Sequence, residues 1–221
     1  MTNAGWKAVL FDLDGTLADT IELILRSFRH TMRTHLGEVP PDERFLEIIG
    51  IPLPTQLRGF ARDEGEAELM RLTYVAYQRE VHDEMVAPFP NAALVLSDLR
   101  RSGTRLAVVT SNDTRVARRT LEVCGLWGSV DAVVCADEVA EPKPHPESVH
   151  KALELLGLGG RVEETLFVGD SPFDLRAGRA AGTYTAAAVW GAFSRDALAV
   201  EKPNFYLSDL LGVLKTSSPR R

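Results

Sequence analysis

Two carboxylates, Asp12 and Asp14, stand two residues apart at the end of an apolar run, in the stretch Asp12-Leu13-Asp14-Gly15-Thr16. The run before them, Ala8-Val9-Leu10-Phe11, reads as a short buried strand, and Gly15 breaks it. An aspartate at the carboxyl end of a central parallel strand lies in the crevice where open α/β sheets bind ligands. A carboxylate there is ionised at pH 7 and can attack phosphorus without a helper base. A second carboxylate two residues on can protonate the leaving oxygen and later take a proton from water. Asp and Gly also form capped turns, so the stretch alone leaves that structural reading open.

The rest of the chain supplies a sheet for that strand. From Asn91 onward helix and strand patterns alternate. Helices are predicted over 91–102, 113–124, 146–156 and 173–181, and strands over 105–110, 132–135, 165–168 and 184–189, with a last pair over 204–214. Repeated βα units predict a parallel sheet with helices on both faces. The segment from Ala18 to about Val86 differs. Ile21, Leu23, Ile24, Leu25, Phe28 and Met32 recur at helical spacing, and a second helix is expected over 64–84. Between them Pro40-Pro41, Gly50, Pro52 and Pro54 mark an irregular piece, and Pro88-Phe89-Pro90 closes the segment like a linker. No strand is expected within it.

Three more stretches accompany the first. Thr110-Ser111-Asn112 ends the apolar run Leu106-Ala107-Val108-Val109; Lys143 sits in Lys143-Pro144-His145-Pro146; Gly169-Asp170-Ser171-Pro172-Phe173-Asp174 follows Leu166-Phe167-Val168. Together, and in this order, the four stretches resemble the motifs of the haloacid dehalogenase-like hydrolase superfamily, spanning Asp12 to Asp174. The resemblance implies an α/β fold, with a Rossmann-like parallel-sheet core and a helical cap inserted after the first strand. The expected division is residues 1–17 and 88–221 for the core and 18–87 for the cap.

In a protein of this kind Asp12 is the expected nucleophile, forming an aspartyl-phosphate, and Asp14 the general acid and base. The resemblance adds that Asp14 also holds the metal through its backbone carbonyl. Mg²⁺ is the expected cofactor because it prefers oxygen ligands, with Asp12 and Asp170 as carboxylate donors. Asp170-Ser171-Pro172 also looks like a helix entry, in which Asp170 would be the N-cap. Thr110 and the backbone N–H groups of Ser111 and Asn112 are expected to cradle phosphate oxygens. Lys143 would supply positive charge to the transferring phosphoryl group. Asp174 falls one helical turn after Asp170 and would orient Lys143 or a metal-bound water. Of the histidines, His30 and His35 fall on a cap helix, His145 is expected to be loop structure, and His82 and His150 are expected at the surface.

The residue at position 14 separates branches of the superfamily. Dehalogenases lack this aspartate and ion-pumping relatives carry threonine, so Asp14 selects phosphatase or phosphomutase chemistry. Phosphonate-cleaving relatives use a cap lysine, and residues 18–87 contain none. Gly15-Thr16-Leu17-Ala18-Asp19-Thr20, Ile49-Gly50-Ile51-Pro52-Leu53 and Trp190-Gly191 look most like the phosphoglycolate phosphatase group and its pyrophosphatase-like relatives; Ser148-Val149 departs from the proline more often found there. The expectation is a Mg-dependent phosphatase acting on a small-molecule phosphate monoester such as phosphoglycolate. The alternatives are a sugar phosphomutase, a pyrophosphatase-like enzyme or a pathway-specific phosphatase of a specialised metabolite. Specificity should lie in the cap, with Arg44, Gln56 and Arg58 as candidate contacts.

Composition narrows the partners. The 221-residue chain carries a net charge of −6 with a pI of about 5.4, which argues against nucleic-acid or membrane-surface binding through a basic face. Arg100-Arg101 and Arg118-Arg119 read as solvated helix faces. No apolar run reaches the ~18 residues that span a bilayer, and residues 1–7 show no signal-peptide core. A cytoplasmic monomer or homodimer is therefore expected, its partner a small phosphate substrate. Cys124 and Cys135 lack metal or disulfide spacing and read as buried thiols.

Overall fold

The computed structural model describes residues 5–218. Its centre is a six-stranded parallel sheet in the order β5-β4-β1-β6-β7-β8. The strands are β1 (Ala8–Phe11), β4 (Arg105–Val109), β5 (Ala132–Val134), β6 (Thr165–Gly169), β7 (Tyr184–Ala188) and β8 (Phe205–Leu207). Alternate residues go to opposite faces. Val9, Phe11, Leu106, Val108, Leu166 and Val168 join one apolar cluster, while Ala8, Leu10, Ala107, Val109 and Phe167 join the other. Both faces are therefore dry, which explains why these strands read as unbroken apolar runs.

Helices α5 (Ala92–Arg101), α6 (Thr114–Val123), α7 (Glu147–Leu155), α8 (Pro172–Ala181) and the short α9 (Arg195–Ala199) flank the sheet. Before them the chain forms α1 (Ile21–Leu36), α2 (Glu43–Leu46), α3 (Leu53–Arg58) and α4 (Glu64–Met85). These four share a core of their own. Phe28 stacks on Phe45 with ring centroids 4.8 Å apart and meets Tyr74 edge-on at 5.1 Å, with Met32, Leu57 and Met70 buried around them.

Two local expectations need correcting. The piece read as irregular contains α2 and α3, and no strand was expected where β2 (Ala18–Asp19) pairs antiparallel with β3 (Ala87–Pro88). Two-residue strands and helices of four to six residues are too short to show a period. The β2–β3 pair ties the entry of the helical segment to its exit, so the segment leaves and returns at one point beside β1. Among the described residues no helix is long and apolar enough to cross a membrane.

Candidate active site

Parallel register brings the predicted residues to one edge. Phe11 pairs with Val108 on one side and Val168 on the other, so Asp12, Thr110 and Asp170 emerge together at the carboxyl ends of β1, β4 and β6. The Asp12 N–H donates to the Val168 carbonyl at 2.9 Å, continuing the ladder up to the carboxylate.

Lys143 lies in the loop before α7 and is 3% exposed. Its ammonium donates to Asp12 Oδ1 at 2.7 Å, Asp174 Oδ1 at 2.6 Å and the Val109 carbonyl at 3.2 Å. All three of its N–H donors thus have acceptors, which a buried cation requires. Burial works against the charge, but Asp12 and Asp174 outweigh it and hold the ammonium above the usual lysine range. Burial, and then repulsion from Asp174, pushes the Asp12 carboxyl up against the pull of Lys143.

Asp14 is fixed from two directions. Thr20 Oγ1 donates to its Oδ1 and Asn112 Nδ2 to its Oδ2, both at 2.7 Å. Desolvation in the cleft still raises its carboxyl, against these two bonds and Lys143. Asp170 receives the Ala192 N–H at 2.7 Å and Thr16 Oγ1 at 3.3 Å; burial, then Asp174, pushes it up to about 7. Its surroundings need glycine. A Cβ at Gly15, which has φ +72°, or at Gly191 would lie 2.3 Å from this carboxylate. Asp170 is not a helix cap. Ser171 caps α8, forming a reciprocal capping box with Asp174 and leaving Asp170 facing the cleft.

Carboxylate oxygens of Asp12, Asp170 and Asp174 lie within 4.8 Å of one another. Hard oxygen donors at this spacing suit a Mg²⁺ ion. Asp174 receives the Lys143 ammonium on one oxygen and Ser171 twice on the other, whereas Asp12 is bonded through Oδ1 and Asp170 holds only one short bond, from the Ala192 N–H, so Asp12 and Asp170 are the freer donors. Four aspartates against one lysine leave excess negative charge, the same excess that helps raise Asp12 and Asp170, and a divalent cation would offset it. The donor set fits the expected ion.

The second motif makes two hydrogen bonds that the sequence does not announce. The Asn112 N–H, expected to face phosphate, donates to Thr110 Oγ1 at 3.1 Å. Ser111 Oγ donates to the Gly50 carbonyl of the helical segment at 2.6 Å.

Asp12, Asp14 and Asp170 sit at the floor of a cleft of about 410 Å³, bounded by residues 49–56, which run into α3, and by α4. Of the three specificity candidates only Gln56 lines it. Its Nε2 donates to the Ile51 carbonyl at 2.5 Å, while its buried Oε1 has no partner. Arg44 and Arg58 are corrected to the outside: Arg44 lies over the Phe60 ring, and Arg58 pairs with Glu64 at 3.0 Å. Neither lines the cleft, because helices α2 and α3 turn them away from it. His82 is corrected from the surface to the interior at 6% exposure; its ring bonds Thr120 of α6 at 2.9 Å. Sequence reasoning missed the cleft-facing stripe of α4, Arg71, Tyr74, Val75, Gln78 and His82. Their spacing of three or four residues was the available signal, masked because the stripe mixes charged, polar and apolar types. Thr20 and Ala192 as carboxylate partners were also missed. Cys124 and Cys135 are free and buried, as expected.

A parallel sheet with four carboxylates and a buried lysine gathered at the carboxyl ends of its strands is the architecture of a phosphoryl-transfer hydrolase. Comparison with known proteins agrees: residues 9–188 match the haloacid dehalogenase-like hydrolase family, and the chain belongs to that family. It is 39% identical to the pyrophosphatase PpaX of Bacillus cereus over 212 residues, covering 94% of this chain and 96% of that one. It superposes on a haloacid dehalogenase-like family protein of Streptococcus pneumoniae with a TM-score of 0.82 at 25% identity, covering 95% and 97% of the two chains. A structure described as a predicted phosphoglycolate phosphatase from Haemophilus somnus shares the fold with a TM-score of 0.86 at 24% identity, covering 95% and 97%. The protein is thus a hydrolase of the phosphatase type.

Proposed function

We propose that this enzyme is a Mg²⁺-dependent phosphatase of small phosphate compounds working through an aspartyl-phosphate on Asp12. The observation that carries the reading is the pairing of two differently held carboxylates: Asp12 on the Lys143 ammonium at 2.7 Å, and Asp14 held apart by Thr20 and Asn112. In the first step an Asp12 oxygen attacks phosphorus and the bond from phosphorus to the leaving oxygen breaks. Asp14, whose carboxyl is raised, gives that oxygen its proton. In the second step Asp14 takes a proton from water, the water oxygen attacks phosphorus, and phosphate leaves with Asp12 regenerated. Lys143, oriented by Asp174, spreads positive charge under the transferring group. Mg²⁺ on Asp12 and Asp170 would supply charge neutralisation between the attacking carboxylate and the phosphate.

Residues 18–87 act in this reading as a cap that covers the cleft and excludes water. Pyrophosphate is the first substrate to try, since the Bacillus cereus relative is named a pyrophosphatase; 2-phosphoglycolate and a neutral aryl phosphate complete a minimal panel. Phosphate release should require Mg²⁺ and stop when chelator is added. Full activity in chelator would defeat the metal assignment, and no release from any panel member would defeat the phosphatase reading.

A further inference from the structure

The floor of the cleft explains how phosphorus is attacked but not what the leaving group must be. Among the described residues lining the cleft, Arg71 is the only arginine or lysine. Lys143 lies beneath Asp12, already committed to three acceptors. Arg71 belongs to the α4 stripe with Tyr74, Gln78 and His82, which share one helix face.

Its guanidinium is held rather than loose. Nε donates to Glu68 Oε2 at 2.7 Å and Nη2 to Oε1 at 2.6 Å, and the side chain is 34% exposed. A guanidinium has five N–H donors, so donors remain for a ligand. Two other carboxylates on the lining, Asp113 and Asp137, are hydrogen-bonded at the start of α6, and the Asp113 charge also acts on Arg71. Asp113 accepts the Val116 N–H at 2.9 Å as the cap of α6, and Asp137 accepts the Thr114 N–H at 3.0 Å. The cleft is anionic at its floor, and among the described lining residues its one permanent cation is Arg71, on the wall formed by α4.

We infer that Arg71 is the specificity-determining residue of this cleft, binding a phosphate or carboxylate on the leaving group, with Gln78, two turns along the same helix face, as an uncharged hydrogen-bonding partner. This rests on the phosphatase reading for its kinetics but not for its binding. A fork of planar donors matches either oxyanion bidentately. Without such a cation a second anion would meet the aspartates, an apolar stretch at 49–54 and uncharged polar side chains such as Gln78 and Asn112, with no permanent charge to offset its own.

Two measurements on the full chain test this. With Mg²⁺, Arg71→Ala should lower kcat/KM for pyrophosphate and 2-phosphoglycolate by roughly 10- to 100-fold, the worth of a hydrogen bond to a charged group, mostly through KM. Hydrolysis of p-nitrophenyl phosphate, whose leaving group needs no cation, should change less than about twofold, and Arg71→Lys should recover part of the loss. Arg44→Ala and Arg58→Ala should behave as wild type on all three substrates. An equal loss on every substrate, or no loss on pyrophosphate, would overturn the assignment. Independently, calorimetric binding of Mg²⁺-pyrophosphate to Asp12→Asn should weaken by a similar factor in Asp12→Asn/Arg71→Ala. A wild type that binds pyrophosphate through Arg71 but releases no phosphate would reject the phosphatase reading and keep the subsite. Equal binding by both variants would reject the subsite whatever the turnover.

Discussion

On the sheet side of the cleft Asp12, Asp14, Asp170 and Asp174 each accept hydrogen bonds from named donors, all four on both oxygens or from a buried ammonium. On the helical side the bonds are fewer and more exposed. Arg71 is tied only to the surface residue Glu68, and Gln56 leaves an oxygen unpaired. The sheet side is rigid because a buried carboxylate without donors is too costly to keep; the helical side faces solvent and a variable ligand, where loose bonding costs little. A chemical step common to many substrates belongs on the first kind of surface, and discrimination among them on the second.

The sharpest way to break this contrast is to remove Asp12, the proposed nucleophile. Asp12→Asn should abolish turnover and the phospho-enzyme on every substrate, detected as loss of the phosphate mass increment after rapid acid quench. Substrate-dependent residual activity would mean that the floor is not a common machine. Next in size, Asp14→Asn should slow turnover by roughly 10²–10⁴, the usual worth of general acid–base catalysis. The loss should be greater for a poor leaving group than for p-nitrophenolate, and equal losses would exclude Asp14 as the acid.

The helical side is probed through its packing. Phe28 is fully buried between Phe45 and Tyr74, so Phe28→Ala should cost about 3–5 kcal/mol. The loss should be read by hydrogen exchange as faster opening of α1 and α4 while β1, β4 and β6 stay protected. Uniform loss of protection would show that the two regions unfold as one unit. The smallest effect is expected where they touch. Ser111→Ala removes the bond to the Gly50 carbonyl and should change stability by about 0.5–1.5 kcal/mol. It should shift KM more than kcat if that contact holds the cap loop down, and a pure kcat effect would assign Ser111 to the phosphoryl group instead.

The floor was legible because its residues sit where strands end, and strand ends are announced by buried runs followed by Gly, Asp or Thr. Asp12, Thr110 and Asp170 are more than fifty residues apart in pairs, yet a parallel sheet with β1 between β4 and β6 admits one arrangement of them. The Asp170 cap was misplaced by one residue, since Ser171 satisfies the α8 amides equally well and frees the carboxylate. In the helical segment the same reasoning located the long helices but named Arg44 and Arg58, which do not line the cleft. Proximity to an irregular loop was the only cue, and α2 and α3 direct Arg44 and Arg58 outward.

The sequence by itself determined the class of chemistry, through the kind and order of residues at four strand or loop ends, and the parallel core that displays them. Only the tertiary structure decided which side of α4 meets the cleft, that His82 is buried against Thr120, and that Arg71 supplies the wall's cation. Those facts depend on how one helical layer rotates against another. The angle is set by the packing of Phe28, Phe45 and Tyr74 in three dimensions, which no local pattern of residues records.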